Sequence, residues 1–177
     1  YAKDNLPGDT VDVHPDFTIF RYKHSMNGDT YVGAFYTGRE AGQVFNRVGG
    51  LDGRFRLGQP SVLSFHLFGS LSRRESGDPT NKDHALGIEY TYNTRKWVFD
   101  LGYQDISKDF QVDSGFVTRT GLRRLGAFIE YEIYPKSAFV QKIEPFYWGY
   151  QLYDTIYNMW ETFNLFTARF YLPRSTQ

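Results

Sequence analysis

The chain has 177 residues, no Cys, and 20 basic against 20 acidic side chains, with 16 Phe and 14 Tyr raising the aromatic fraction to 19%. The missing Cys excludes a disulfide framework, a thiolate metal site and a Cys nucleophile, and the cancelled charge removes the basic footprint of a nucleic-acid binder. Mean hydropathy is −0.51 and no run nears the ~18 apolar residues of a spanning helix, which excludes a helical membrane protein but not a β-barrel, whose alternating strands average out as polar.

Phe and Tyr outnumber the strong helix formers Leu and Ala, so strands are expected throughout. From the N-terminal side, 17–26 alternates Phe20 and Tyr22 against Arg21 and Lys23. Segments 30–38 and 44–57 follow, the second setting Leu51, Phe55 and Leu57 against Asp52, Arg54 and Arg56. Next, 61–71 places Leu63, Phe65, Leu67 and Leu71 opposite Ser64, His66 and Ser70. Leu86, Ile88, Tyr90 and Tyr92 then oppose Gly87, Glu89 and Thr91, and Trp97, Phe99, Leu101 and Tyr103 oppose Asp100, Gly102 and Gln104. Leu125, Ala127, Ile129, Tyr131 and Ile133 oppose Gly126, Glu130 and Glu132. In 140–152 the apolar stripe is Phe146, Trp148, Tyr150 and Leu152; in 161–172 it is Phe166, Ala168, Phe170 and Leu172. Successive strand side chains point to opposite faces, so this period-2 pattern predicts about nine antiparallel strands, each with one apolar and one polar side. Leu152, Ile156, Trp160 and Phe163 also fit helical spacing, which leaves a short helix or a turn open there.

Short links with turn chemistry are expected at 25–29, 58–60, 93–96 and 135–137. Longer links are expected at 37–43, 73–83, 105–120 and 154–160. Tight turns at one end and long loops at the other is the pattern of outer-membrane barrels. Alternation alone leaves two readings open: a core against a solvated surface, or lipid against a polar lumen. Aromatic residues near strand ends (Tyr90, Tyr92, Trp97, Tyr103, Tyr131, Trp148, Tyr150) favour the second, as interfacial girdles do.

Little in the sequence points to a reaction. His14, His24, His66 and His84 lie in no metal-ligand spacing. Glu130 and Glu132 share one face about 7 Å apart, a separation compatible with a glycosidase pair but commonplace on strands. Asp105, Asp109 and Asp113 do not match the calcium-loop pattern, and no nucleophile elbow, P-loop or dinucleotide fingerprint is present. No catalytic residue, cofactor or metal is assigned. A hydrolase stands only as a remote alternative, and a soluble or peripheral carbohydrate-binding β-protein as the nearer one.

Two stretches carry a resemblance. The first is Tyr31–Arg56, with Asn46, Arg47, Val48, Gly50 and Asp52; the second is Tyr103–Arg124, with Asp109, Phe110, Gly115, Phe116 and Arg119. Together they resemble the C-terminal β-barrel of a bacterial outer-membrane family of unknown function, whose members commonly carry an N-terminal carbohydrate-binding family 9-like domain. The resemblance implies an antiparallel up-and-down transmembrane barrel in the bacterial outer membrane, of which residues 1–177 form an incomplete portion. The bilayer is then the expected partner, with glycans or another chain completing the barrel as further candidates and no nucleic acid. Lumen or loop residues are expected at Arg47, Asp52, Arg54, Arg56, Asp109, Gly115, Phe116, Arg119, Glu130 and Glu132. Phe116 is expected to pack the long loop onto the barrel mouth, with Arg119 pairing Asp105, Asp109 or Asp113. The functional alternative to such a plug is a charged constriction that selects solutes.

Overall fold

The computed structural model describes residues 14–115 and 117–173. Nine strands form one sheet: β1 (Asp16–Ser25), β2 (Tyr31–Ala41), β3 (Val44–Arg56), β4 (Ser61–Arg73), β5 (Asn81–Asn93), β6 (Trp97–Ile106), β7 (Leu122–Tyr131), β8 (Lys142–Asp154) and β9 (Met159–Tyr171). Every strand pairs antiparallel with its sequence neighbours, in the order β1 to β9. The expected all-β, up-and-down meander is therefore present. Among the described residues no ladder joins β9 back to β1, so the sheet is open at both edges.

The register sorts the side chains. One face carries Phe20, Leu51, Leu67, Ile88, Leu101, Leu125 and Phe166, and these apolar groups are uncovered; Leu67 is 51% and Phe166 78% exposed. Away from the strand ends this outer face has no charged residue on any strand from β3 to β9. Its charges gather at the end nearest the longest loop, as in the Arg47–Glu40 pair at 2.5 Å and the Arg123–Asp105 pair at 3.3 Å. Aromatic contacts occur at both ends and also at mid-strand, where Tyr147 meets Phe166. Trp97 contacts Phe99 and Tyr131 beside the β5–β6 turn, and Tyr153 contacts Trp160 beside the β8–β9 turn.

The other face is concave and carries Arg21, Asp52, His66, Glu89, Gln104, Arg124 and Glu130. One expectation changes here. The β8 stripe Phe146, Trp148, Tyr150 and Leu152 lies on this concave side, because Glu130 pairs with Phe146 and Arg124 with Leu152. In-register partners share a face, so the register places the stripe with the polar residues. The sequence of β8 alternates apolar with apolar (Pro145 and Tyr147 oppose Phe146 and Trp148), so alternation within that one strand does not identify its outer side.

The connections depart from a simple short-and-long asymmetry. β2 runs to Ala41, beyond its expected end at 38, and it closes onto β3 through Gly42 and Gln43 alone. Gly42 has φ +63°, which a two-residue hairpin turn requires and glycine adopts at no steric cost. The β8–β9 link is a turn and not a helix: the Asp154 carboxylate accepts from the Ile156 and Tyr157 amides at 2.8 and 2.9 Å, and Asn158 takes φ +54°. The β7–β8 link, expected to be tight, runs from 132 to 141 and holds one bridge, Ile133 to Ile143. Only the β4–β5 and β6–β7 loops are long at the opposite end.

The β6–β7 loop, residues 107–121, builds the core. Val48, Ala85, Ile106, Leu122 and Leu152 form an apolar patch on the concave face, and Phe110 from the loop, 6% exposed, closes it. Val112 and Val117 pack around the same cluster. Burial of that patch is the reason the loop folds inward.

Candidate functional site

The concave face forms a trough of about 860 Å³ lined by residues from β1 through β8, within the range of about 300–1,000 Å³ typical of small-molecule sites. The loop roofs one end. Its attachment to β3 uses the buried Asn46 amide, which donates to the Gln111 carbonyl and accepts from the Asp113 amide, both at 2.9 Å. A side-chain amide both donates and accepts, as a backbone amide does, so Asn46 stands in for a strand backbone. Thr37 and Ser114 hydroxyls bond to each other, and Asp113 pairs with Arg39 at 3.6 Å. On the far side Arg119 donates to Asp154 at 2.6 Å and to Glu161 at 2.5 and 3.1 Å. The loop therefore spans the trough from β2 and β3 to β8 and β9. Those two carboxylates hold the Arg119 guanidinium further above its ordinary value, with Glu161 the larger cause.

The residues expected at the lumen or loops divide among several places. Asp52 lies in the trough, where it receives both guanidinium nitrogens of Arg21. A side chain at Gly33, between these strands, would meet Arg21 and Asp52 at 2.9 Å. Arg54 and Arg56 converge on Asp29 in the β1–β2 turn, at 3.2 and 2.5 Å. Arg47 lies on the outer face with Glu40. Asp109 stands beside Lys108 at 3.9 Å, and Gly115 donates to the Val112 carbonyl within the loop. Phe116 lies outside the described residues; the packing role expected of it is filled by Phe110. Arg119 does not pair with Asp105, Asp109 or Asp113. Asp105 faces Arg123 and His84 instead, at 3.3 and 3.5 Å, because it belongs to β6 and points outward.

Glu130 and Glu132 meet a third carboxylate, Glu144, with one oxygen of each within 4.8 Å of the others. Two cations occupy the same cluster. Arg169 reaches Glu130 at 2.5 Å and Glu144 at 3.5 Å, and Lys142 reaches Glu132 at 3.4 Å as well as Glu144. Tyr134 and Tyr171 hydroxyls donate to Glu132 and Glu144. The carboxylates are thus consumed by internal pairing, and they lie apart from the trough lining.

Several further trough residues carry no motif. His66 lies across Gly87, where a Cβ would come within 2.4 Å of its ring, and stacks on Phe68 at 5.4 Å. Glu89, Gln104 and Arg124 stand on β5, β6 and β7. Among the described residues, no hydrogen bond or ion pair engages their side chains; Arg124 rests over the Tyr150 ring at 4.7 Å. The only sequence sign of these residues was their position on the polar side of each strand. No protein-family model, curated protein or solved structure matches the chain.

Proposed function

We propose that this chain is part of the wall of an integral β-barrel of the bacterial outer membrane, with a pore or anchoring role. The outer face would meet lipid, the trough would line the lumen, and the 107–121 loop would narrow its mouth. One observation carries this reading: an exposed apolar face, uncharged across the middle of seven consecutive strands, with the charges on the concave side and at the strand ends. Contiguous exposed apolar faces mark contact with a membrane or another protein rather than an ordinary solvated surface. Strands of 10 to 13 residues also suit the roughly 9–11 residues that a tilted crossing needs. An open edge in hydrocarbon would strand unpaired backbone groups, so further strands or another chain would complete the wall along β1 and β9.

Membrane extraction tests the reading. Full-length protein that resists carbonate and needs detergent supports it, and release by salt or carbonate alone defeats it. Conductance in reconstituted liposomes then separates a pore from a sealed anchor.

A further inference from the structure

The trough has an uncovered floor, and its position identifies a ligand chemistry. Glu89, Gly102 and Gly126 follow one another in register across β5, β6 and β7. Elsewhere on this face neighbouring side chains fold over the glycines, as His66 does over Gly87. Over Gly102 and Gly126 nothing does: an added Cβ would meet only backbone carbonyl oxygens, at 4.0 and 3.9 Å. Two strand spacings put Glu89 about 10 Å from Gly126, so the bare floor has the breadth of a sugar ring with its hydroxyls.

Its borders are chemically mixed. Gln104 and Arg124 flank the floor on the loop side, directly paired with each other across β6 and β7. Phe128 and Trp148, also paired in register, flank it on the opposite side. Trp148 keeps 48% of its surface exposed. Glu89, Gln104 and the Arg124 guanidinium spend no hydrogen-bonding capacity on described protein groups. A carboxylate accepts, a guanidinium donates, and a carboxamide does both, while an exposed indole offers an apolar face with a polar edge.

We infer that this floor is a binding subsite for a neutral saccharide unit, its C–H face on Trp148 and its hydroxyls bonded to Glu89, Gln104 and Arg124. The opposed signs of Glu89 and Arg124 give a charged ligand no consistent attraction and leave a neutral polyol favoured. This inference rests on the reading of the concave face as a solvent-filled lumen.

The test is Trp emission of the full-length protein in detergent, titrated with maltohexaose, cellohexaose and the acidic tetragalacturonate. A saturable change with a neutral hexaose is expected, with affinity in the micromolar to millimolar range. Trp148→Phe should abolish the signal. Gly126→Val fills the floor from open space, suits a strand, and should weaken binding by about tenfold or more, or about 1.4 kcal/mol. No saturable change with either neutral hexaose, a response to tetragalacturonate alone, or unchanged affinity in Gly126→Val overturns the subsite. Carbonate extraction reads the barrel separately: a membrane-retained protein without hexaose binding defeats the subsite alone, and a detergent-independent soluble protein that binds defeats the barrel alone.

Discussion

Replacing Phe110 by Ala should undock the 107–121 loop while leaving the sheet paired. Phe110 is the loop's one fully buried apolar side chain among the described residues, set against Val48, Ala85, Ile106, Leu122 and Leu152. Truncating a buried Phe to Ala typically costs about 3–5 kcal/mol. Here the loss falls on docking, since the strand residues beneath keep their backbone ladders. Each 1.4 kcal/mol is tenfold in an equilibrium, so the undocked population should rise by about two to three and a half decades. Hydrogen exchange reads this directly. The Asp113 amide, bonded to Asn46, reports the docked state, and the Val48 amide within β3 reports the sheet. Asp113 protection should fall by about a hundredfold or more and Val48 protection should hold. Asp113 protection within about threefold of the unmodified protein would refute the assignment of the loop's anchor. Equal losses at both amides would show that the loop and the sheet form one cooperative unit.

Asn46→Asp should also loosen the loop. A carboxylate keeps the acceptor for the Asp113 amide but loses the donor to the Gln111 carbonyl, leaving two oxygens opposed; loop-directed proteolysis should accelerate, and an unchanged rate would count against the Asn46 bridge. Leu67→Arg places a charge in the middle of the outer face, where Leu67 is 51% exposed. A lipid-facing position predicts a cost of about 2–4 kcal/mol by denaturant titration in bilayers, whereas a water-facing one predicts a change within about 0.5 kcal/mol. Hydrogen bonding from Arg56 holds the Asp29 carboxyl well below the usual range of an Asp. A depressed folded pKa contributes stability that is complete above the unfolded value and is lost as pH falls through the folded one. The Met26 and Thr30 turn amides should therefore stay protected at pH 4 and open only in stronger acid, and Asp29→Asn should remove that acid step.

Much of the architecture was legible along the chain. Alternation at Leu63–Leu71, Leu86–Tyr92 and Trp97–Tyr103 showed the strand type and which side of each strand is apolar, because a strand's period of two depends only on local backbone geometry. The apolar and polar sides of β3 through β7 were assigned on the same grounds. β8 was not, since both of its sides are apolar and only pairing with β7 says which faces the trough. The site was less legible still. Asp52, expected at the lumen or a loop, lies in the trough, but Glu89, Gln104 and Arg124 became neighbours through register between three strands. Register follows from hairpin lengths and long-range pairing, neither of which a single segment reveals.

Composition and alternation by themselves determined that this protein is an antiparallel sheet with one apolar face, because side-chain direction in a strand follows from adjacent residues. Tertiary structure alone decided how the 107–121 loop is used. Arg119 reaches Asp154 and Glu161 rather than the aspartates nearest it in sequence, and Phe110 closes a patch drawn from five strands. These contacts join residues from opposite sides of the sheet, and curvature of the whole sheet is what brings them within reach.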